Sequence, residues 1–226
     1  MDKKFKSRPR NAYKKQCLQI KKIIKNHYPV EDVFGIEKYV MLFLASIQLI
    51  TPVMFIRFLS GKKSVKARKI SVEFYAILKS FLLLFILLYG FSSLSISKWL
   101  SIFFIFDVIF YLLGIVFLSK LYTPPISFSR SVLLLIFNLI EIISAYAILF
   151  INTESIAING CLMKDGLTGF YFSIVTFTTL GFGEYLPVSE NGELLVIFEL
   201  LTSFIFVTTI LTFFVSQLKI GKASTN

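Results

Sequence analysis

Cysteine and histidine are nearly absent from this chain, which has two cysteines, Cys17 and Cys161, and one histidine, His27, in 226 residues. Two cysteines so far apart make neither a disulfide framework nor a metal-ligand spacing, and they are expected in different compartments. A lone histidine in a charged stretch leaves imidazole-based metal or acid–base chemistry little to draw on. No cofactor is expected. Charge is scarce as well: 16% of the residues are charged against 56% hydrophobic, and mean hydropathy is +0.77. A soluble domain has about 25% charged residues, and one core of this size cannot hide so much apolar side chain. These proportions exclude a soluble globular protein and indicate an integral membrane protein.

What is present is a series of apolar runs. A bilayer core about 30 Å thick takes about 20 helical residues. Runs of that length occupy 39–59, 74–94, 99–119, 132–152 and 194–217. A sixth, 167–180, is too short to cross. Unpaired backbone amides are not tolerated against lipid, so a short helix followed by irregular backbone must be shielded by protein or line a watery cavity. The expected fold class is an all-α membrane protein. No cleavable signal is expected, because the first apolar run follows a long charged stretch and ends on Arg57 and a lysine cluster. No soluble domain is expected after Gln217.

Lysine and arginine set the expected orientation. Residues 1–38 hold 11 of the 24 basic residues and 57–69 hold six more. Lys120 and Arg130 follow the third run, and Lys219 and Lys222 follow the last. Lys98 and Lys164 stand alone on the opposite side. The later loops agree on a multi-pass plasma-membrane protein with a cytoplasmic C-terminus. The first run does not fit: if 39–59 crosses once, two basic clusters face opposite sides. Either the tail is translocated, or 39–59 lies in the interface or folds back at "ITPVMF", where Pro52 breaks helices. The tail itself, with Ile20, Ile23 and Ile24 among its lysines, reads as a surface helix held on anionic lipid. It lacks the stacking aromatics of a nucleic-acid reader, so no nucleic-acid partner is expected.

One stretch interrupts the apolar pattern: "TFTTLGFGEYLP", residues 176–187. Glycines at alternate positions let a backbone take left-handed φ at every second residue without a Cβ clash. Alternation of that kind turns successive carbonyls to one side. Leu180 and Phe182 then point the other way, into packing. Rings of such oxygens from several chains replace the hydration shell of a dehydrated cation.

At these residues "TTLGFG" resembles the T-x-G-[YF]-G selectivity filter of potassium channels. The likeness extends over "YFSIVTFTTLGFGEYLP" and, with the flanking runs, over everything from Arg130 onward. It is similar to the helix–pore loop–helix module of that superfamily, here of prokaryotic type with extra N-terminal membrane segments. Composition and the apolar runs lead to the expectation of a basic cytoplasmic or membrane-surface segment over 1–38 and two or three membrane helices of unassigned role over 39–129, and the resemblance implies a pore domain over 130–219. Within that domain it implies an outer helix at 131–152, a pore helix and filter at 166–184 and an inner helix at 193–217, with a short cytoplasmic tail at 220–226. Main-chain oxygens of Thr178, Thr179, Leu180, Gly181 and Phe182 would meet K⁺, with the Thr179 hydroxyl adding another ring and Gly183 closing the filter. Tyr171, Phe172, Thr176 and Glu184 would support it, and Phe204, Val207 and Leu211 would line the inner cavity. One filter per chain implies a homotetramer in the bilayer.

Some positions depart from that pattern. Phe182 and Glu184 stand where many members have Tyr and Asp, which implies a looser filter. Val175 replaces an acid that some relatives place behind the filter, and Ser203 occupies the position of the inner-helix glycine hinge. No arginine series lies within a span, so strong voltage gating is not expected. That leaves a leak-type K⁺ channel, or one gated by lipid, tension, pH or an unknown regulatory partner. The alternatives are a weakly selective Na⁺/K⁺ channel and, on the likeness of "GFGE" plus Asp107 to a G-x-G-D layout, an intramembrane aspartyl protease. Asp107, Glu141 and Glu199 lie within apolar runs. They are expected to be hydrogen-bonded between helices while Lys79 snorkels, or, for Glu199, to serve as a pH or gating element.

Overall fold

The computed structural model describes residues 12–25, 35–61, 65–118 and 128–223. Parts of the basic tail, His27 and the connection at 119–127 lie outside the described residues, as do 62–64 and 224–226. Among the described residues, eight α-helices follow one another: α1 (Ala12–Ile24), α2 (Ile36–Ile47), α3 (Pro52–Gly61), α4 (Val65–Leu88), α5 (Ser95–Phe117), α6 (Phe128–Asn152), α7 (Gly166–Phe177) and α8 (Glu190–Ala223). Three short strands, β1 (Ile156–Ile158), β2 (Cys161–Leu162) and β3 (Leu186–Pro187), form a sheet in the order β2-β1-β3. Among the described residues, four helices are long and apolar enough to cross a membrane, over Ile70–Leu88, Ser95–Phe117, Ser129–Asn152 and Glu190–Val215. The protein is an all-α membrane protein in which the small sheet is a local clamp.

The chain divides into two compact units. The first contains α1, α2, α3, the start of α4 and the end of α5. Here the run at 39–59 is not one straight span. It breaks between α2 and α3, which are bent by 60°. Pro52 opens α3, where its missing N–H costs nothing. The Thr51 hydroxyl donates to Gln48 O at 3.0 Å across the break. One face of α1 packs on protein: Gln16 Nε2 donates to Ala45 O at 3.1 Å and to Gln48 Oε1 at 3.2 Å, and Ile23 is fully buried. Lys14, Lys21 and Lys22 remain exposed. The surface-helix expectation is therefore corrected for Ile23, which is core, while those three lysines keep a solvent-facing side.

The second unit holds the rest of α4 and α5 together with α6, α7, α8 and the sheet. The run at 74–94 stops sooner than its apolarity suggests. Gly90 has φ 77, a left-handed residue that ends α4 and leads into a 3₁₀ turn at Phe91–Ser93. Asn152 at the end of α6 fastens that turn, donating to Ser92 O at 2.9 Å and Leu94 O at 3.1 Å. The core is built around α6, whose residues 141–151 are all buried. The last helix is longer than the expected inner helix, reaching Ala223, so the expected tail at 220–226 begins as helix.

Candidate functional site

The short helix α7 is positioned at both ends. At its start Asp165 caps it, accepting from the Thr168 backbone N–H at 3.0 Å and the Thr168 hydroxyl at 3.1 Å. Those two bonds, the backbone one foremost, hold the Asp165 carboxyl below its ordinary value of 3.8. A Cβ on Gly166 would stand 2.2 Å from Leu87 O, so only glycine lets the first turn of α7 meet the end of α4. The buried side of α7 carries Gly169, Phe172, Ser173, Val175, Thr176 and Phe177. Phe172 packs edge-on against Phe150 of α6 at 4.9 Å between ring centroids and against Tyr185 at 6.3 Å. Tyr171 also meets Tyr185, at 6.3 Å, although it is partly exposed.

At its end α7 closes with a Schellman motif. Thr179 N donates to Thr176 O and Leu180 N donates to Val175 O, both at 3.0 Å. The left-handed position of that motif, normally glycine, is Thr179 with φ 59. A β-branched residue there is strained, by about 1–3 kcal/mol. Gly181 follows at φ 56 and Gly183 at φ 79, while Leu180 and Phe182 between them are not left-handed. Left-handed residues thus occur at three alternate positions. The Thr179 hydroxyl donates to Thr178 O at 2.6 Å.

Beyond Gly183 the chain returns to where it left. Pro187 and Leu186 of β3 pair with Ile156 and Ala157 of β1, and Val188 N donates to Ser155 O at 2.9 Å. Between strands β2 and β3, α7 and the glycine segment form an excursion closed at its base. The flanking helices α6 and α8 are both of spanning length. A helix too short to cross, held between two that do, is the geometry of a re-entrant loop.

The remaining candidate residues fall into two groups. Thr176 is buried, and Glu184 is exposed. Leu180 and Phe182 are 61% and 62% exposed in the single chain. Phe204, Val207 and Leu211 lie along one exposed face of α8, spaced three and four residues apart.

Polar contacts that no motif announced hold these helices together. Ser203 Oγ donates to Phe177 O at 2.7 Å, Tyr146 OH and Thr202 Oγ1 are 2.9 Å apart, and Ser173 Oγ touches both Ile143 O, at 3.0 Å, and Glu199 Oε1. Lys79 does not snorkel. Its Nζ lies 2.7 Å from Asp107 Oδ2 and 2.9 Å from Glu141 Oε1, with all three side chains buried. Opposite charges on separate apolar helices were the available signal for that cluster, but sequence does not say which acid meets the lysine.

Residues 133–219 match the ion-channel family, and no curated protein and no solved structure matches the chain. The matched segment runs from α6 through the re-entrant loop to α8, and it names a transport function in place of a catalytic one. That sets the aspartyl-protease reading aside. This chain is a membrane protein whose residues 133–219 are similar to ion channels of the potassium channel superfamily.

Proposed function

We propose that the protein is a K⁺-selective channel whose filter is Thr178–Gly183 and whose pore is completed by four copies of the chain. The observation that carries this is the alternation of left-handed φ at Thr179, Gly181 and Gly183 within an ion-channel domain. Such alternation aims successive carbonyl oxygens to one side of a strand, where rings of them substitute for a cation's water shell. Thr179 adds a hydroxyl to the ring nearest the cavity. The helix α7 ends at this point and turns its negative dipole end toward a cavity ion.

The exposure of Leu180 and Phe182 supports assembly. Large apolar side chains beside a polar ion path need a partner, and one filter strand cannot surround an ion. Symmetric copies supply both, each covering its neighbour's filter flank. The exposed stripe of Phe204, Val207 and Leu211 then faces the central axis below the filter. In the plasma membrane, with the C-terminus of α8 in the cytoplasm as the basic loops direct, the chain conducts K⁺ passively.

Phe182 favours the second reading, a cation pore of low selectivity, because a ring without hydroxyl forms no hydrogen bond to the surrounding helices. One measurement decides between them. Purified protein in liposomes under a K⁺/Na⁺ gradient is expected to reverse near the K⁺ equilibrium potential and to be blocked by Ba²⁺. Gly181→Ala is expected to abolish the flux while the tetramer still assembles, because alanine resists φ 56. A reversal potential near zero selects the low-selectivity pore, and no flux at all overturns both.

A further inference from the structure

Two side-chain hydrogen bonds join α7 to α8 with the same four-residue spacing on each helix. Ser173 meets Glu199, and one turn on, Phe177 O accepts from Ser203 Oγ at 2.7 Å. Residues four apart lie on the same helix face, so the two contacts are successive rungs of one ladder. The upper rung also reaches the outer helix, since Ser173 Oγ is 3.0 Å from Ile143 O of α6. Phe177 is the last residue of α7, directly before Thr178. The ladder thus ends at the base of the proposed filter.

Glu199 is fully buried, as is Ser173, and Glu199 Oε2 has no hydrogen-bond partner among the described residues. The Ser173 hydroxyl has a single hydrogen for two neighbouring acceptors, Ile143 O and Glu199 Oε1. A carboxylate there would be a full charge away from water with no cation among its contacts and one oxygen unpaired, an arrangement of very high cost. A neutral carboxyl removes the buried charge and satisfies the hydroxyl, leaving only an uncharged Oε2 unpaired: Glu199 donates to Ser173 Oγ, and Ser173 donates to Ile143 O.

From this we infer that Glu199, together with Ser203, is a positioning residue that holds the filter from behind, and that Glu199 does so as a hydrogen-bond donor. The inner helix here does what Val175 on the pore helix cannot do, namely place an acid behind the filter. The filter's shape therefore depends on the position of α8, and displacement of that helix pulls on Phe177 and Ser173 together. This inference rests on the proposed K⁺ pore and adds to it the group that sets its strictness.

The test compares Glu199→Leu, Glu199→Gln and Ser203→Ala with the wild type, each reconstituted after its tetramer has been isolated by size exclusion. Glutamine keeps a donor toward Ser173, whereas leucine keeps only volume. Glu199→Leu is expected to lower the K⁺/Na⁺ permeability ratio by at least about tenfold, the equivalent of one buried hydrogen bond. Glu199→Gln is expected to retain the wild-type ratio, and Ser203→Ala to lower it in the same direction. If Glu199→Leu does not assemble, Ser203→Ala carries the test alone. An unchanged ratio in an assembled Glu199→Leu, or in Ser203→Ala, overturns the positioning role, because a merely structural contact changes yield and leaves the selectivity of surviving channels alone. A glutamine variant as poor as the leucine variant overturns the donor assignment. Wild-type protein that conducts without selecting K⁺ overturns the K⁺-selective reading on which the inference rests, and that result is visible before any variant is made.

Discussion

Lys79 Nζ lies 2.7 Å from Asp107 Oδ2 and 2.9 Å from Glu141 Oε1, and through those contacts one ammonium group joins α4, α5 and α6. It also sits 5.5 Å from the centroid of the Phe104 ring. The cluster ties α4 and α5 to α6, most of which lies in the segment that matches the ion-channel family. Taking one partner from a buried ion cluster is costlier than taking all of them, because the remaining charge loses its counter-ion. Lys79→Met is expected to destabilise the protein by about 3–5 kcal/mol, the usual cost of breaking a buried pair. Replacing all three with apolar residues of similar volume is expected to recover most of that loss. Thermal unfolding in detergent checks both, and equal midpoints for the wild type and Lys79→Met would refute the role.

Asp165 gives a pH dependence whose sign follows from its cap. Hydrogen bonds from Thr168 hold its folded carboxyl below the ordinary 3.8. A group depressed on folding stabilises the folded state while ionised, so its contribution is complete above the unfolded value and is lost as pH falls through the folded one. The wild type is expected to exceed Asp165→Ala in thermal stability at neutral pH, with the gap closing under acid conditions below 3.8. A gap that persists unchanged in acid would show that the carboxylate charge contributes nothing to the cap.

Gly166 marks the tightest backbone approach at the base of the re-entrant loop, where an added Cβ would stand 2.2 Å from Leu87 O. The obstacle is main chain, which cannot rotate away as a side chain does. Gly166→Ala would favour helix by intrinsic propensity, by about 1 kcal/mol. It is nevertheless expected to destabilise, because the start of α7 must separate from the end of α4. A drop in the unfolding midpoint, with loss of ion flux in the same preparation, is the expected outcome. An unchanged midpoint and flux would mean that the two helices do not need this contact.

Sequence carried the module well where physics is local. Apolar length located the membrane helices, and Pro52 marked the break between α2 and α3 because a missing N–H is a local property. The left-handed glycines were legible for the same reason, as Gly181 and Gly183 need nothing but their own backbone. Partners were not legible. Nothing in the apolar run around Lys79 specifies Asp107 or Glu141, since pairing depends on rotation and depth of three separate helices. The same holds for Ser203, whose hydrogen bond to Phe177 O depends on how α7 and α8 are placed. The end of α4 was missed because Gly90 is a stop signal inside a run that stays apolar on both sides.

Thr179 is where stability and function are expected to separate. Its φ of 59 is a position glycine fills without strain, and a β-branched residue there costs about 1–3 kcal/mol. Thr179→Gly removes that strain but adds freedom to the unfolded chain worth about 0.5–1 kcal/mol. Thermal stability is therefore expected to hold or to rise slightly. If the hydroxyl serves the ion path, the same variant is expected to lose selectivity for K⁺ over Na⁺, as is Thr179→Val, which keeps the branched shape without the oxygen. Thr179→Ser, with the oxygen retained, is expected to stay close to the wild type. Reversal potentials measured on all three distinguish a retained hydroxyl from a retained shape. Selectivity intact in both the glycine and valine variants would leave the strain at Thr179 without a functional reason.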